Sequence, residues 1–119
     1  MLVHLPVGFR HRRSKIELAQ ERGLLATGYV GDMSSLAPDT VLASMVWDTA
    51  ELLRPMIADV QAGTFAPAKY YSVGVAEDGL LVAINPELAD LISDEAMELL
   101  ETRTAEIKDG SFEVPYIPE

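Results

Sequence analysis

The fold is decided between residues 28 and 48, where the sequence reads Gly28-Tyr-Val-Gly-Asp-Met-Ser-Ser-Leu-Ala-Pro-Asp-Thr-Val-Leu-Ala-Ser-Met-Val-Trp-Asp48. This pattern predicts the end of a strand, a polar turn that carries Asp32, a second strand, and then Trp47 where a helix opens. In an open α/β sheet, ligands bind outside the carboxyl ends of the strands, because the loops there carry polar groups over a rigid floor. Asp32 and Trp47 therefore suit a small molecule that carries a sugar or a ring.

Three helices are predicted outside this stretch. Residues 15–22 have a helix-forming composition, and Gly23 follows where a left-handed cap would end that helix. Apolar residues at helical spacing predict a second helix over 48–63, which ends at a glycine. Ser93 is the expected N-cap of the last helix, which Gly110 ends.

Strands are predicted over 24–30 and 41–46, from short apolar runs that are partly β-branched. Residues 69–75 and 80–84 flank an Asp-Gly pair and predict a β-hairpin. The order helix, strand, strand, helix, hairpin, helix predicts an α/β fold with helices on the faces of the sheet.

The chain totals set further limits. At 119 residues with 49% apolar composition, one globular domain is expected. No run of about 18 apolar residues is present, which argues against a membrane span. The N-terminal positive charges follow the apolar residues, unlike those of a secretory signal, so the chain as written would stay in the cytoplasm. The absence of cysteine excludes disulfides and thiol nucleophiles.

Charge is unevenly spread along the chain. Residues 1–22 hold five basic and two acidic residues, so the remainder of a chain with net charge −10 carries −13. An acidic body repels nucleic acid and acidic membrane surfaces, and neither is an expected partner. The run at 10–15 is either a short basic patch for phosphate or a solvated leader, and the leader interpretation is favoured because no nucleic-acid motif accompanies it.

Two candidate residues each have a functional and a structural interpretation. Asp32 either accepts hydrogen bonds from ligand hydroxyls or bonds its own turn backbone. Trp47, the single tryptophan, either stacks on a ligand ring or belongs to the core.

Catalytic and metal motifs are missing from the sequence. His4 and His11 have no carboxylate or cysteine at metal-ligand spacing, so no metal site or cofactor is expected. There is no Gly-x-Ser-x-Gly, phosphate-cradling glycine loop or supported Ser–His pair, which makes catalysis the least favoured function.

Residues 15–117 carry several motifs in an order that resembles the basic membrane protein family of ABC-importer substrate-binding proteins. The motifs are Ala19-Gln-Glu-Arg-Gly, Gly28-Tyr-Val-Gly-Asp-Met, Ala37-Pro-Asp-Thr-Val-Leu-Ala-Ser-Met-Val-Trp, Ala62-Gly-Thr-Phe, Gly74-Val-Ala-Glu-Asp-Gly-Leu and Ile107-Lys-Asp-Gly-Ser-Phe-Glu-Val-Pro. The resemblance implies part of a lobe of a type I periplasmic-binding-protein fold, with three layers and helices on the faces of a mostly parallel sheet.

The resemblance also implies capture of a small molecule without chemistry on it. Several members of the family bind purine nucleosides. Asp32 matches an acid expected to bind ribose hydroxyls, whereas Trp47 stands where many members have lysine. An ABC permease is the implied partner, and an extracytoplasmic, periplasmic or lipid-anchored location is implied for the family.

The resemblance covers only the C-terminal portion of such a protein. Residues 1–14 show no recognisable family motif, so the expected organisation is an atypical basic leader over 1–14 and one α/β domain over 15–119. A truncated or frame-shifted reading frame would explain the missing lobe. The alternative function is a self-associating structural domain, a homodimer that covers exposed sheet edges and apolar surface.

Overall fold

A computed structural model describes residues 14–115 of the chain. Its helices and strands are α1 (Lys15–Glu21), β1 (Ala26–Val30), β2 (Val41–Trp47), α2 (Thr49–Ala62), β3 (Leu80–Ile84) and α3 (Asp94–Asp109), with 3₁₀ turns at Ser34–Leu36 and Ala89–Leu91. The described residues form two compact units: the first contains 14–46 and 82–92, and the second contains 47–81 and 93–115. The proposed leader lies almost entirely outside the described residues.

The three strands form one sheet in the order β1-β2-β3, and β1 pairs with β2 in parallel. Backbone N–H groups of Asn85 and Asp48 donate to the carbonyls of Leu42 and Gly79, each at 3.0 Å. The start of β2 therefore lies beside the end of β3, which makes that pair antiparallel. The predicted α/β fold class, built on a parallel pairing of the first two strands, is confirmed.

Local side-chain chemistry explains where the helices begin. Ser14 and Glu17 form a reciprocal capping box at α1, in which each side chain accepts the backbone N–H of the other residue. The Asp48 carboxylate accepts the N–H of Ala50 at the start of α2. Ser93 caps α3 as its sequence predicts.

The helices end at glycines, as predicted. Gly23, Gly63 and Gly110 have φ angles of 62°, 70° and 79°, in the left-handed region that glycine adopts without steric cost. After α2 the N–H of Thr64 returns to the carbonyl of Asp59 at 2.9 Å, which completes a Schellman cap. These local caps fix helix boundaries within a residue or two of the predicted ones.

The predicted hairpin is wrong, because residues 69–75 form no strand and only 80–84 does. The Gly74 carbonyl accepts the N–H of Gly79 at 2.9 Å, while the Gly74 N–H donates to the Glu77 carboxylate at 2.7 Å. These bonds close a compact loop instead of a ladder. Since β3 pairs with β2, residues 69–75 are not needed as its partner.

The apolar core of the described residues is small. Its buried hydrophobic side chains are Ala26, Ala37 and Val41. Many large apolar side chains are instead exposed, including Tyr29, Leu36, Met45, Leu53, Tyr70 and Leu91. Apolar surface on this scale is typical of a face that another polypeptide segment covers.

Buried polar groups complete the interior of the first unit. The Asn85 side chain, 2% exposed, donates to the carbonyls of Pro38 and Val41, both at 2.7 Å. Its amide oxygen accepts the N–H of Glu87 at 3.0 Å. One amide thus joins the start of β2 and the residues before it to the segment after β3.

We predict that Asn85→Ala lowers the free energy of unfolding by about 2 to 4 kcal/mol, because two carbonyls lose their donor. Urea denaturation followed by circular dichroism measures the change. Glu87→Ala is the control, because the exposed Glu87 bonds Asn85 only through its backbone N–H. Equal stability of the two variants would contradict the role assigned to Asn85.

Candidate functional site

The candidate site of the first unit lies where the parallel strands end. Val30 pairs with Val46 in the parallel register, so the carboxyl ends of β1 and β2 meet at one edge of the sheet. Residues 31–40 leave β1 at this edge and return to the start of β2. This connection carries Asp32 two residues beyond the end of β1, where α/β sheets commonly bind ligands.

Asp32 is exposed, and its carboxylate is organised by the turn. Its Oδ1 accepts the N–H of Ser34 at 2.9 Å. This backbone hydrogen bond, the Ser34 hydroxyl and then the Ser44 hydroxyl hold the pKa of Asp32 below its usual value. Asp32 therefore bonds the backbone of its own turn, as its structural interpretation predicts. An ionised carboxylate offers about four acceptor directions, so the same group can also accept hydroxyl donors from a ligand.

Ser44 belongs to the candidate site, although no motif of the sequence indicates it. It is 1% exposed, and its Oγ accepts the N–H of Met33 at 3.0 Å. Gly28 lies opposite Ser44 in the register, and a Cβ there would stand 2.3 Å from the Ser44 Oγ. The hydrogen bond thus ties Met33, the residue after Asp32, to the central strand β2. The close approach of Ser44 to β1 requires glycine at position 28. The available signal was one hydroxyl within the largely apolar run of β2.

Val30 has a positive φ of 78° immediately before the turn. A β-branched residue is strained in this region because its Cβ substituents crowd the backbone. Strained backbone of this kind is concentrated at functional sites. The strain therefore adds to the geometric case for the turn that follows β1.

Trp47 is the last residue of β2, and α2 begins two residues later at Thr49, as the sequence predicts to within a residue. Its side chain is 47% exposed, so the structure does not place it in a buried core. It borders a cavity of about 290 Å³ in the second unit, together with Leu52, Tyr71 and Leu80 among others. Asp32 belongs to the first unit and Trp47 to the second.

Tyr71 is held by a polar cluster that follows α2. Its hydroxyl donates to the Asp59 Oδ2 at 2.5 Å, and Lys69 forms an ion pair with the same oxygen. The Thr64 hydroxyl donates to the Asp59 Oδ1 at 2.9 Å. The cluster fastens residues 64–71 to the last turn of α2.

The cluster changes the pKa values of two of its members. Hydrogen bonds from Lys69, Tyr71 and Thr64 lower the pKa of Asp59 to about 2. The hydrogen bond to Asp59 raises the pKa of Tyr71 to about 12. Both groups are therefore in the states that favour their mutual hydrogen bond at neutral pH.

We predict a pH dependence of stability that follows from these two shifts. Because the folded pKa of Asp59 is depressed, its contribution is present above the unfolded value of 3.8 and is lost as pH falls toward about 2. Because the folded pKa of Tyr71 is raised, its contribution is complete below 10 and is lost as pH rises toward about 12. Denaturation midpoints of the wild type and of Asp59→Asn, measured across pH, should differ most between these limits. A constant difference at every pH would contradict the assignment.

The first unit also contains an apolar groove of about 840 Å³ between α1 and the sheet. Its apolar lining includes Ile16, Leu18, Tyr29, Met33, Met45 and Val82. Tyr29 and Met45, which are among the exposed apolar side chains named above, both line this groove.

Residues 14–115 contain no cluster of three or more His, Cys, Asp or Glu side chains arranged to hold a metal ion. Over the same range, none of the helices combines the length and apolar character needed to cross a membrane.

Sequence comparison assigns the chain to a class of proteins. Residues 11–117 match the family described as Bmp, the ABC transporter substrate-binding protein PnrA-like family. The chain belongs to this family, which confirms the resemblance stated from its motifs. A direct comparison with curated proteins found no match to the chain.

Two solved structures share the fold. One is titled as a transcriptional activator of the comK gene from Bacillus halodurans, with a TM-score of 0.62, 19% identity, and coverage of 85% of this chain and 34% of that one. The other is titled as ABC transporter system solute-binding proteins from Aeropyrum pernix K1, with a TM-score of 0.62, 17% identity, and coverage of 87% and 36%. The chain therefore spans about a third of the length of these structures.

Proposed function

We propose that this chain is the ligand-capturing part of a solute-binding component of an ABC importer and that it performs no chemistry on its ligand. The proposed ligand is a purine nucleoside or a related solute that carries a sugar. The observation that carries this proposal is an exposed, ionised Asp32 at the carboxyl end of a parallel strand, in a chain of the PnrA-like family. Asp32 and Trp47 are the proposed ligand-binding residues.

Asp32 suits hydroxyl recognition because its lowered pKa keeps it an acceptor at neutral pH. The hydrogen bond between Met33 and Ser44 fixes the backbone beside it, so the carboxylate loses little freedom when a ligand binds. Preorganised acceptors of this kind favour ligands with neighbouring hydroxyl groups, such as ribose.

Trp47 suits a ring because its exposed indole offers a flat apolar surface. It stands where many members of the family have lysine, a difference that favours stacking on a base over contact with a charged or polar group. The ligand preference of this chain is therefore proposed to differ from that of its lysine-bearing relatives.

The proposed partner is an ABC permease, and the proposed location is extracytoplasmic, as in the family.

We predict that Asp32→Asn weakens adenosine binding by about tenfold or more, because a charged hydrogen bond to the ribose hydroxyls becomes a neutral one. Isothermal calorimetry or NMR titration of the full chain with adenosine measures the effect. Asp39→Asn is the matched control, because Asp39 is an exposed acid on the same connection. Unchanged adenosine affinity in Asp32→Asn would contradict the role of Asp32.

A second candidate function is self-association without ligand binding. The exposed apolar side chains and the 840 Å³ groove of the first unit favour it, because exposed apolar faces are commonly covered by another chain. β1 ends the sheet order and so offers an unpaired strand edge within the described residues. A homodimer would cover both surfaces.

For this candidate we predict the mass of two chains in light scattering at high protein concentration. Met45→Glu should shift the protein to monomer, because Met45 lines the groove and is 41% exposed. Leu91→Glu is the control, since Leu91 is more exposed but does not line the groove. A monomeric wild type at high concentration would eliminate the dimer.

A further inference from the structure

We propose that the apolar groove between α1 and the sheet of the first unit binds one anionic amphiphile, a free long-chain carboxylate. The apolar sheet face, the volume of the groove and the charge on the bordering face of α1 together define this occupant. The proposal goes beyond the function proposed above, because neither Asp32 nor Trp47 lines this groove.

The floor of the groove is an apolar strip on one face of the sheet. Tyr29 pairs with Met45 in the parallel register, and both residues line the groove. Thr27 and Ala43 form the other groove-lining pair on this face, because side chains two residues apart point the same way from a strand. Val82 of β3 also lines the groove and is 46% exposed. An alkyl chain lying on this strip would remove its apolar surface from water.

The volume of the groove suits a small organic molecule. About 840 Å³ lies within the range of roughly 300 to 1,000 Å³ that is usual for ligand sites. The lining is dominated by aliphatic, aromatic and thioether side chains, and its Ser44 hydroxyl already accepts the N–H of Met33 at 3.0 Å. An alkyl tail therefore fits this lining better than a hydroxyl-rich molecule does.

The charges on α1 and its C-cap are divided between two sides of the helix. Lys15 and Arg22 line the groove, and seven positions of separation place them on the same side. Glu17 and Glu21 do not line the groove, and the described residues that line it include no acid. Among residues 14–115, neither Lys15 nor Arg22 has an ion-pair partner. The rim of the groove is therefore positive and can hold a carboxylate while the tail lies on the sheet.

This positive rim belongs to an acidic chain. The net charge of −10 repels an anionic bilayer surface, which meets the protein as a whole. A single carboxylate in the groove is closest to the rim, and exposed charges beyond about 10 Å are largely screened at physiological salt. The occupant is therefore a free molecule and not a membrane surface.

Decanoate is the probe for this site, titrated into the full chain by calorimetry at neutral pH and below micelle-forming concentrations. One decanoate should bind per chain and saturate. Octanoate should bind about tenfold more weakly or less, because it lacks two methylenes that are each worth about fourfold. Decylammonium, which has the same tail and the opposite charge, should bind at least about tenfold more weakly than decanoate.

A charge-matched pair of double variants tests the rim. Lys15→Gln with Arg22→Gln should raise the decanoate dissociation constant by about tenfold or more, because the carboxylate loses both cations. The control, Arg54→Gln with Lys108→Gln, removes the same charge from exposed ion pairs of the second unit. Decanoate affinity in the control should stay within about twofold of the wild type.

A neighbouring pair of variants tests the floor. Val82→Glu places a carboxylate in the groove and should abolish decanoate binding. Leu81→Glu makes the same change at the adjacent residue, which is 42% exposed and does not line the groove, so binding should persist. Circular dichroism checks that both variants fold. Should Val82→Glu unfold, the Lys15 and Arg22 double variant, at two exposed positions, still tests the site.

Four results would overturn the proposal: no saturable decanoate binding, equal binding of octanoate, equal binding of decylammonium, or unchanged decanoate affinity in the folded Lys15 and Arg22 double variant. The competing occupant of the groove is a second copy of the chain. A two-chain mass in light scattering that Val82→Glu reduces to one chain, without decanoate binding by the wild type, would assign the groove to that dimer instead.

Discussion

The buried amide of Asn85 is the constraint on which the first unit depends. Only three apolar side chains are buried among the described residues, so hydrophobic burial alone gives a weak framework. The amide joins Pro38 and Val41 to the segment after β3, and both carbonyls are satisfied by the same nitrogen. The connection that carries Asp32 is thereby fixed at its C-terminal end, and the hydrogen bond from Met33 to Ser44 fixes it near its N-terminal end.

The two units carry surfaces of different chemical character. The turn after β1 presents an ionised acid organised by hydroxyl and amide donors, which suits a polar, hydroxyl-rich group. The cavity beside Trp47 presents aromatic and aliphatic surface, with Tyr71 fixed by its bond to Asp59.

Features that depend on nearby residues could be predicted from the sequence. The helix ends at Gly23, Gly63 and Gly110 and the N-cap at Ser93 depend on contacts within a few residues, and the sequence contains all of their determinants. The placement of Asp32 after a strand is local in the same sense.

Features that depend on distant partners could not be predicted. Residues 69–75 have the composition of a strand, but Tyr71 bonds Asp59 twelve residues earlier and β3 pairs with β2. Ser44 becomes a site residue only through the parallel register that places it opposite Gly28. Strand pairing and long-range hydrogen bonds leave no signal in a local sequence pattern. The irregular structure of residues 69–75 and the role of Ser44 were therefore missed.

Val30 has a left-handed backbone conformation, and its side chain affects both the strain and the flexibility of the chain at this position. Glycine would adopt this φ without crowding and would relieve the backbone strain. The same replacement would widen the range of backbone angles just ahead of Gly31 and Asp32, so the acid would be presented less sharply. Valine at position 30 therefore restricts the backbone ahead of Asp32 more than glycine would, at the cost of a strained φ.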